Sequence, residues 1–198
     1  MRIIGGNLKK KKLNSISGLK IRPTADRLRE SIFNIISVRI KDAVVLDLFA
    51  GTGAMGIEAL SRGAKLSVFI DHYRTALSVI ERNIRACSLK KSAKIIRWDI
   101  IKNLNCIKSA DFSFDLVFID PPYARNLVKQ ALLNLQRSRC LDKKALIIVE
   151  HSVLEPVPEH ILTFKRTYQK KYGKTMVSYL SLTRTCSDRN HKDPGMIA

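Results

Sequence analysis

Val44-Val45-Leu46-Asp47-Leu48-Phe49-Ala50-Gly51-Thr52-Gly53-Ala54-Met55-Gly56 joins two kinds of chain through one turn. The apolar run broken by the single acid Asp47 reads as a strand buried on both faces. Gly51, Gly53 and Gly56 satisfy G-x-G-x-x-G, a spacing that lets the backbone turn sharply and approach a ligand. Residues 54–61 then read as a helix. No Lys-Ser or Lys-Thr follows the glycines, which excludes a P-loop. The spacing by itself suits a dinucleotide equally well.

The same alternation continues downstream. Short apolar runs over 66–70, 93–97, 115–119 and 145–149 predict strands, and helical periodicity over 75–87 and 127–135 separates them. Strands alternating with helices imply an α/β fold, a mostly parallel sheet with helices on both faces. The ends differ. Residues 1–22 hold short apolar pieces around a lysine run and suggest a hairpin; Pro23 and Thr24 precede a helix over 25–36. After Pro156 and Pro158, residues 161–168 and 175–182 suit an antiparallel pair around the turn Tyr172-Gly173-Lys174. The expected organisation is a small basic extension over 1–40, a Rossmann-like core of seven strands over 41–184, and a polar, disordered tail over 185–198.

Charge narrows the partners. The chain has 198 residues and a formal net charge of +19. Such a balance points first to nucleic acid. Lys9, Lys10, Lys11, Lys12, Arg22 and Arg29 crowd the N-terminal part, and Lys165, Arg166, Lys170, Lys171 and Lys174 form a second cluster without an acid. No apolar stretch approaches the roughly 18 residues of a membrane span. The opening Met1-Arg2-Ile3-Ile4-Gly5-Gly6 lacks the apolar core of a signal peptide. A cytoplasmic monomer that does not engage a membrane is expected. Cys87, Cys106, Cys140 and Cys186 show neither C-x-x-C nor zinc-like spacing, so no metal is expected.

The acids on one edge of the sheet carry the chemistry. Asp71 ends the second strand, 20 residues after Gly51. A carboxylate there accepts the hydroxyls of a ribose, in NAD and S-adenosylmethionine alike. Asp47, just before the turn, suits the cationic end of a methionine-bearing cofactor and would repel a pyrophosphate; the alternative is a buried acid capping loop amides. Asp99 follows the third strand, where an acid accepts from an adenine amino group or caps a surface helix.

Phe118-Ile119-Asp120-Pro121-Pro122-Tyr123 follows the fourth strand. Ligands in open α/β sheets bind outside the carboxyl ends of the strands, so Asp120 shares an edge with Gly51, Asp71 and Asp99. Two prolines stiffen the loop and remove amide donors, leaving carbonyls. The Asp120 carboxylate and the Pro121 carbonyl can therefore accept both hydrogens of a base amino group, while Tyr123 stacks on the base. Such a corner suits methyl transfer from a sulfonium to an amino nitrogen.

These residues resemble the class I methyltransferases that modify exocyclic or amide nitrogens. The ends narrow the likeness. Arg2-Ile3-Ile4-Gly5-Gly6, Arg22-Pro23-Thr24-Ala25-Asp26-Arg27-Leu28-Arg29-Glu30, Glu58-Ala59-Leu60-Ser61-Arg62-Gly63-Ala64 and Tyr172-Gly173-Lys174-Thr175 look like the bacterial 16S ribosomal RNA guanine-N2 methyltransferase family (RsmD-like). The resemblance covers roughly residues 1–183. It implies S-adenosylmethionine as cofactor, held by Asp47, Phe49, Gly51, Gly53, Asp71 and Asp99. It implies catalysis by Asp120, Pro121, Pro122 and Tyr123, on one guanine of 16S rRNA within an at least partly assembled small ribosomal subunit. RNA contacts are expected from Lys9 to Lys12, Arg22, Thr24 and Arg29, the alternative for Arg29 being a local pair with Asp26 or the neighbours of Glu30. Guanine rather than adenine, and rRNA rather than DNA, come from the resemblance alone. Without it, an adenine-N6 DNA methyltransferase, a protein glutamine methyltransferase or a non-catalytic RNA-binding assembly factor stay open. An NAD-dependent oxidoreductase is least compatible with Asp47.

Overall fold

Strands β1 (Val44–Leu48), β2 (Leu66–Asp71), β3 (Ala93–Arg97), β4 (Phe114–Ile119) and β5 (Leu141–Ser152) run parallel, in a computed structural model that describes residues 1–16, 23–108, 113–122 and 126–183 (backbone alone for 23–25). Three further strands, β6 (His160–Ile161), β7 (Phe164–Tyr172) and β8 (Thr175–Leu182), complete one sheet of order β3-β2-β1-β4-β5-β8-β7-β6. β8 inserts antiparallel beside β5, β7 pairs antiparallel with β8, and β6 with β7. The order reverses between β1 and β4, and the ends of those two strands open the crevice where ligands of such sheets sit.

Among the described residues the sheet has eight strands where seven were expected. Leu162 adopts a left-handed φ of 57°, which turns the chain back on itself. Ile161 therefore pairs with Phe164 as a short edge strand instead of opening β7. β5 also exceeds its predicted span on both sides: Leu141 pairs with Phe114 of β4 at its start, and β8 supplies partners as far as Ser152 at its end.

Helices α1 (Pro23–Ile35), α2 (Ala54–Ser61) and α3 (Arg74–Ala86) cover one face, and α4 (Leu127–Ser138) the other. On the first face Phe33 of α1, Ile57 of α2 and Ile84 of α3 join Phe69 and Phe118 of the strands in one buried cluster. Leu132 and Leu135 of α4 pack with Leu46, Ile70 and Val117 on the second. α2 approaches the sheet closely at Gly56, where a Cβ would strike the Phe69 ring and Ser67 Oγ.

The N-terminal residues are part of this packing. The chain turns back so that Arg2 bridges Lys12 antiparallel; Ile3 N–H donates to the Lys11 carbonyl (3.0 Å) and Leu13 N–H to that of Met1 (3.0 Å). Ile3 and Leu13 are buried in the first cluster. Burying such side chains contributes roughly 1.5–3 kcal/mol each. The segment is then tied to α2: the buried Glu58 carboxylate accepts from Ile4 N–H (2.8 Å) and Gly5 N–H (2.7 Å). The expected tail over 185–198 lies outside the described residues. Among the described residues no helix is long and apolar enough to cross a membrane.

Candidate active site

The turn between β1 and α2 is made by left-handed backbone. Phe49, Gly51 and Gly53 have φ of 58°, 57° and 75°. For the glycines this conformation carries no side-chain penalty, whereas Phe49 holds it against its Cβ. Non-glycine residues persist there when their surroundings over-determine them, a pattern that clusters at ligand sites. Here Gly53 N–H donates to the Ala50 carbonyl (2.7 Å) and Ala50 N–H to that of Ile70 (3.2 Å).

Two buried acids brace the turn from beneath. Asp71 Oδ2 accepts from Gly51 N–H (2.9 Å) and Oδ1 from Tyr73 N–H (2.9 Å). Each oxygen keeps a second lone pair for a ligand hydroxyl. Asp47 Oδ2 accepts from Gly56 N–H (2.9 Å). Burial pushes the Asp47 carboxyl up to about 8; the Gly56 bond opposes this and the Asp71 charge adds to it. A cation brought beside Asp47 would restore its ionised form.

Asp47, Phe49 and Gly51 line a cleft of about 530 Å³, and Asp120 lines it too. The glycine turn and the Asp-Pro-Pro corner thus meet across one space. Asp120 opens into it with an exposed side chain, while Pro121 is buried and Pro122 exposed. The protein packed around the cleft, then the charges of Glu150 and Asp47, raise the Asp120 carboxyl well above the ordinary carboxylate range. Tyr123 lies outside the described residues. A larger hollow of about 670 Å³ beside Val157 and Ile161 holds none of the glycine-turn residues or Asp120.

Other expected residues fall elsewhere. Asp99 is exposed and does not line the cleft; its Oδ1 accepts from Ile101 N–H (3.0 Å), in the manner of a turn cap. It remains next to Trp98, whose backbone N–H donates to the Asp71 carbonyl (3.0 Å), on the same edge of the sheet. Lys9, Lys10, Lys11 and Lys12 are exposed, and Lys9 and Lys10 share a groove with Arg2 and Arg27. Arg22 lies outside the described residues, and Thr24 sits in the first turn of α1. Arg29 departs from its expected RNA contact. It is 4% exposed, donates to the Arg2 carbonyl (2.5 Å) and Asp26 Oδ1 (3.1 Å), and lies 3.7 Å from Glu58 Oε2. It lines the cleft as well, but its guanidinium is held by these partners and ties the N-terminal segment to α1 and α2.

Glu150, Tyr172 and Lys174 also line the cleft. None of the three is marked as a site residue by a motif in the sequence. For Glu150 the usable signal was its place one residue past the predicted fifth strand, on the ligand-binding edge. For Tyr172 and Lys174 it was the hairpin turn. Tyr172 Oη is 2.5 Å from Ser31 Oγ of α1, which joins that hairpin to the opposite wall.

A family model described as conserved hypothetical protein 95 matches residues 1–181. The Bacillus subtilis protein named putative rRNA methyltransferase YlbH is 34% identical over 178 residues, which cover 90% of this chain and 97% of that protein. Ribosomal RNA small subunit methyltransferase D of Escherichia coli is 35% identical over 159 residues, covering 80% and 78%. The solved structure titled putative methyltransferase yhhF from Escherichia coli superposes with a TM-score of 0.80 at 31% identity, covering 92% of this chain and 98% of that one.

Proposed function

The chain belongs to the family described as conserved hypothetical protein 95, and with that as its starting point we propose that it methylates the exocyclic 2-amino group of one guanine in 16S ribosomal RNA. Its fold is that of the class I methyltransferases, and its relatives make it an rRNA methyltransferase. The base, the atom and an at least partly assembled small subunit as substrate go further. They rest on the small-subunit methyltransferase relatives together with the cleft.

S-adenosylmethionine is the methyl donor in this reading. The residues fit it: the left-handed glycine turn leaves no side chain over the backbone, Asp71 keeps two lone pairs for ribose hydroxyls, and Asp47 waits unbalanced for an ammonium. Bound there, the cofactor supplies a methyl carbon on a sulfonium, open to direct displacement by nitrogen. Asp120 and the Pro121 carbonyl accept the two amino hydrogens and hold the nitrogen toward that carbon. Their pull favours sp³ character at a nitrogen whose lone pair is otherwise delocalised. Asp120 then takes the proton the methylated nitrogen sheds. Tyr123 supplies the stacking face.

The observation that carries this reading is the meeting of the glycine turn and Asp120 in one cleft. The test is incubation with labelled S-adenosylmethionine and separate RNA, DNA, small-subunit and protein substrates, followed by nucleoside mass analysis. N2-methylguanosine in small-subunit RNA is the expected product. N6-methyladenine in DNA, or no transfer to any of the four, would overturn the reading.

A further inference from the structure

Asp120 and Glu150 stand side by side. β4 and β5 pair in parallel, the last pair being Ile119 opposite Val149, so Asp120 is the first residue past the end of β4 and Glu150 the next residue along β5. Neighbouring strands are about 4.8 Å apart, and in-register residues project to the same face. Two positions earlier Phe118 and Ile148 both enter the first core cluster, which fixes that face as the one bearing α1 and α2. Glu150 is half-buried and lines the same cleft as Asp120. Glu150 is also the foremost charge acting on Asp120, which places the two carboxylates within each other's field.

With both carboxylates ionised, as transfer requires of Asp120, a base that enters such a pair meets two acceptors in a row. The Watson–Crick edge of guanine offers two adjacent donors, the 2-amino group and N1–H, followed by the O6 acceptor. Adenine offers a lone pair at N1, which an ionised carboxylate repels. Lys174, on the hairpin wall of the same cleft, brings a cationic donor to complete the complement of guanine. Enzymes that act on an extruded base read this edge through hydrogen bonds.

We propose that Glu150 is the specificity-determining residue of the cleft, accepting guanine N1–H while Asp120 holds the 2-amino group. The inference rests on guanine N2 being the target. Sites built to pair a polar group discriminate strongly against analogues that lack it.

The probe is 2-aminopurine, which keeps the 2-amino group and lacks N1–H. Small-subunit particles are reconstituted with guanosine or with 2-aminopurine at the target position, and single-turnover methylation is measured with wild-type protein and with Glu150→Gln. Loss of a hydrogen bond to a charged acceptor predicts methylation of guanine about 10- to 150-fold slower in the variant. The Gln amide can donate to the bare N1, so the guanine-to-2-aminopurine rate ratio should narrow at least about tenfold. The intrinsic difference in nucleophilicity between the two bases cancels when the variant's ratio is compared with the wild type's, and a purely structural role would slow both bases alike. Glu150→Asp, which withdraws the charge by one methylene, should narrow the ratio in the same direction. An unchanged ratio in both variants overturns the assignment of Glu150. Failure of the wild-type protein to form N2-methylguanosine overturns the functional reading instead.

Discussion

Asp71, Asp47 and Asp120 are three carboxylates on one sheet edge, each satisfied differently. Asp71 is spoken for by two backbone amides and still has lone pairs to offer. Asp71→Ala should weaken S-adenosylmethionine binding by about 10- to 150-fold, the value of one charged hydrogen bond; isothermal calorimetry on the folded variant reads it. Asp47 has one amide partner and a carboxyl raised to about 8. Its folded-state pKa lies above the unfolded value near 4. Its contribution is therefore complete below about pH 4 and is lost as pH rises through about 8. Asp47→Asn keeps an acceptor for Gly56 and removes that loss. Without cofactor, the variant's Tm should gain on the wild type steadily from about pH 5 to about pH 8, while cofactor affinity falls. A Tm difference that does not move with pH would contradict the origin assigned to the shift. Asp120 must be ionised to take the proton that the methylated nitrogen sheds, and its carboxyl is raised. Single-turnover methylation at saturating cofactor should accordingly climb with pH through that raised pKa, and Asp120→Ala should cost about 10²–10³-fold with cofactor binding largely kept. Wild-type rates from a well-folded Asp120→Ala protein would remove it from the mechanism. Much of this was legible in the sequence, since a strand, three glycines and an acid fix their own local geometry. The pairing of Arg29 with Glu58 was not, because its partners lie on different elements. Glu150 was hidden for a related reason: its neighbour Asp120 is 30 residues away and reaches it through strand register.

Among the elements, α1 and the N-terminal turn depend on one side chain of α2. Glu58 is 1% exposed and accepts from two backbone amides and from Arg62 Nε (2.8 Å), with Arg29 at 3.7 Å. Burial lowers the Arg29 guanidinium below its ordinary pKa, and the charges of Asp26 and Glu58 oppose this. Glu58→Ala leaves that cation short of a partner and two amides without acceptors. Breaking a buried pair costs about 3–5 kcal/mol, which for a chain this size lowers Tm by about 6–20 °C. Hydrogen exchange should show protection lost first over residues 3–13. Element boundaries set by local signals were readable: α2 and β3 occupy the spans their patterns predict. β6 was not, because its two residues form a strand through pairing with β7 and carry no periodicity of their own.

For the molecule as a whole, a net charge of +19 makes association with RNA a matter of counterions. With about five phosphates contacted, affinity should fall about 100-fold between about 50 and 200 mM salt. Neutralising Lys9, Lys10, Lys11 and Lys12, all exposed, should flatten that slope in a filter-binding titration. A slope insensitive to their removal would assign the contact to another face. The bond between Ser31 and Tyr172 has a different kind of consequence, one of timing. The two residues are 141 apart in sequence. At roughly 5–20 residues per second, about 7–28 s of translation separate them. For most of that interval the glycine turn and α1 exist without the hairpin wall that faces them. The growing chain cannot yet enclose a base, so a protein proposed to methylate ribosomal RNA emerges from the ribosome catalytically silent.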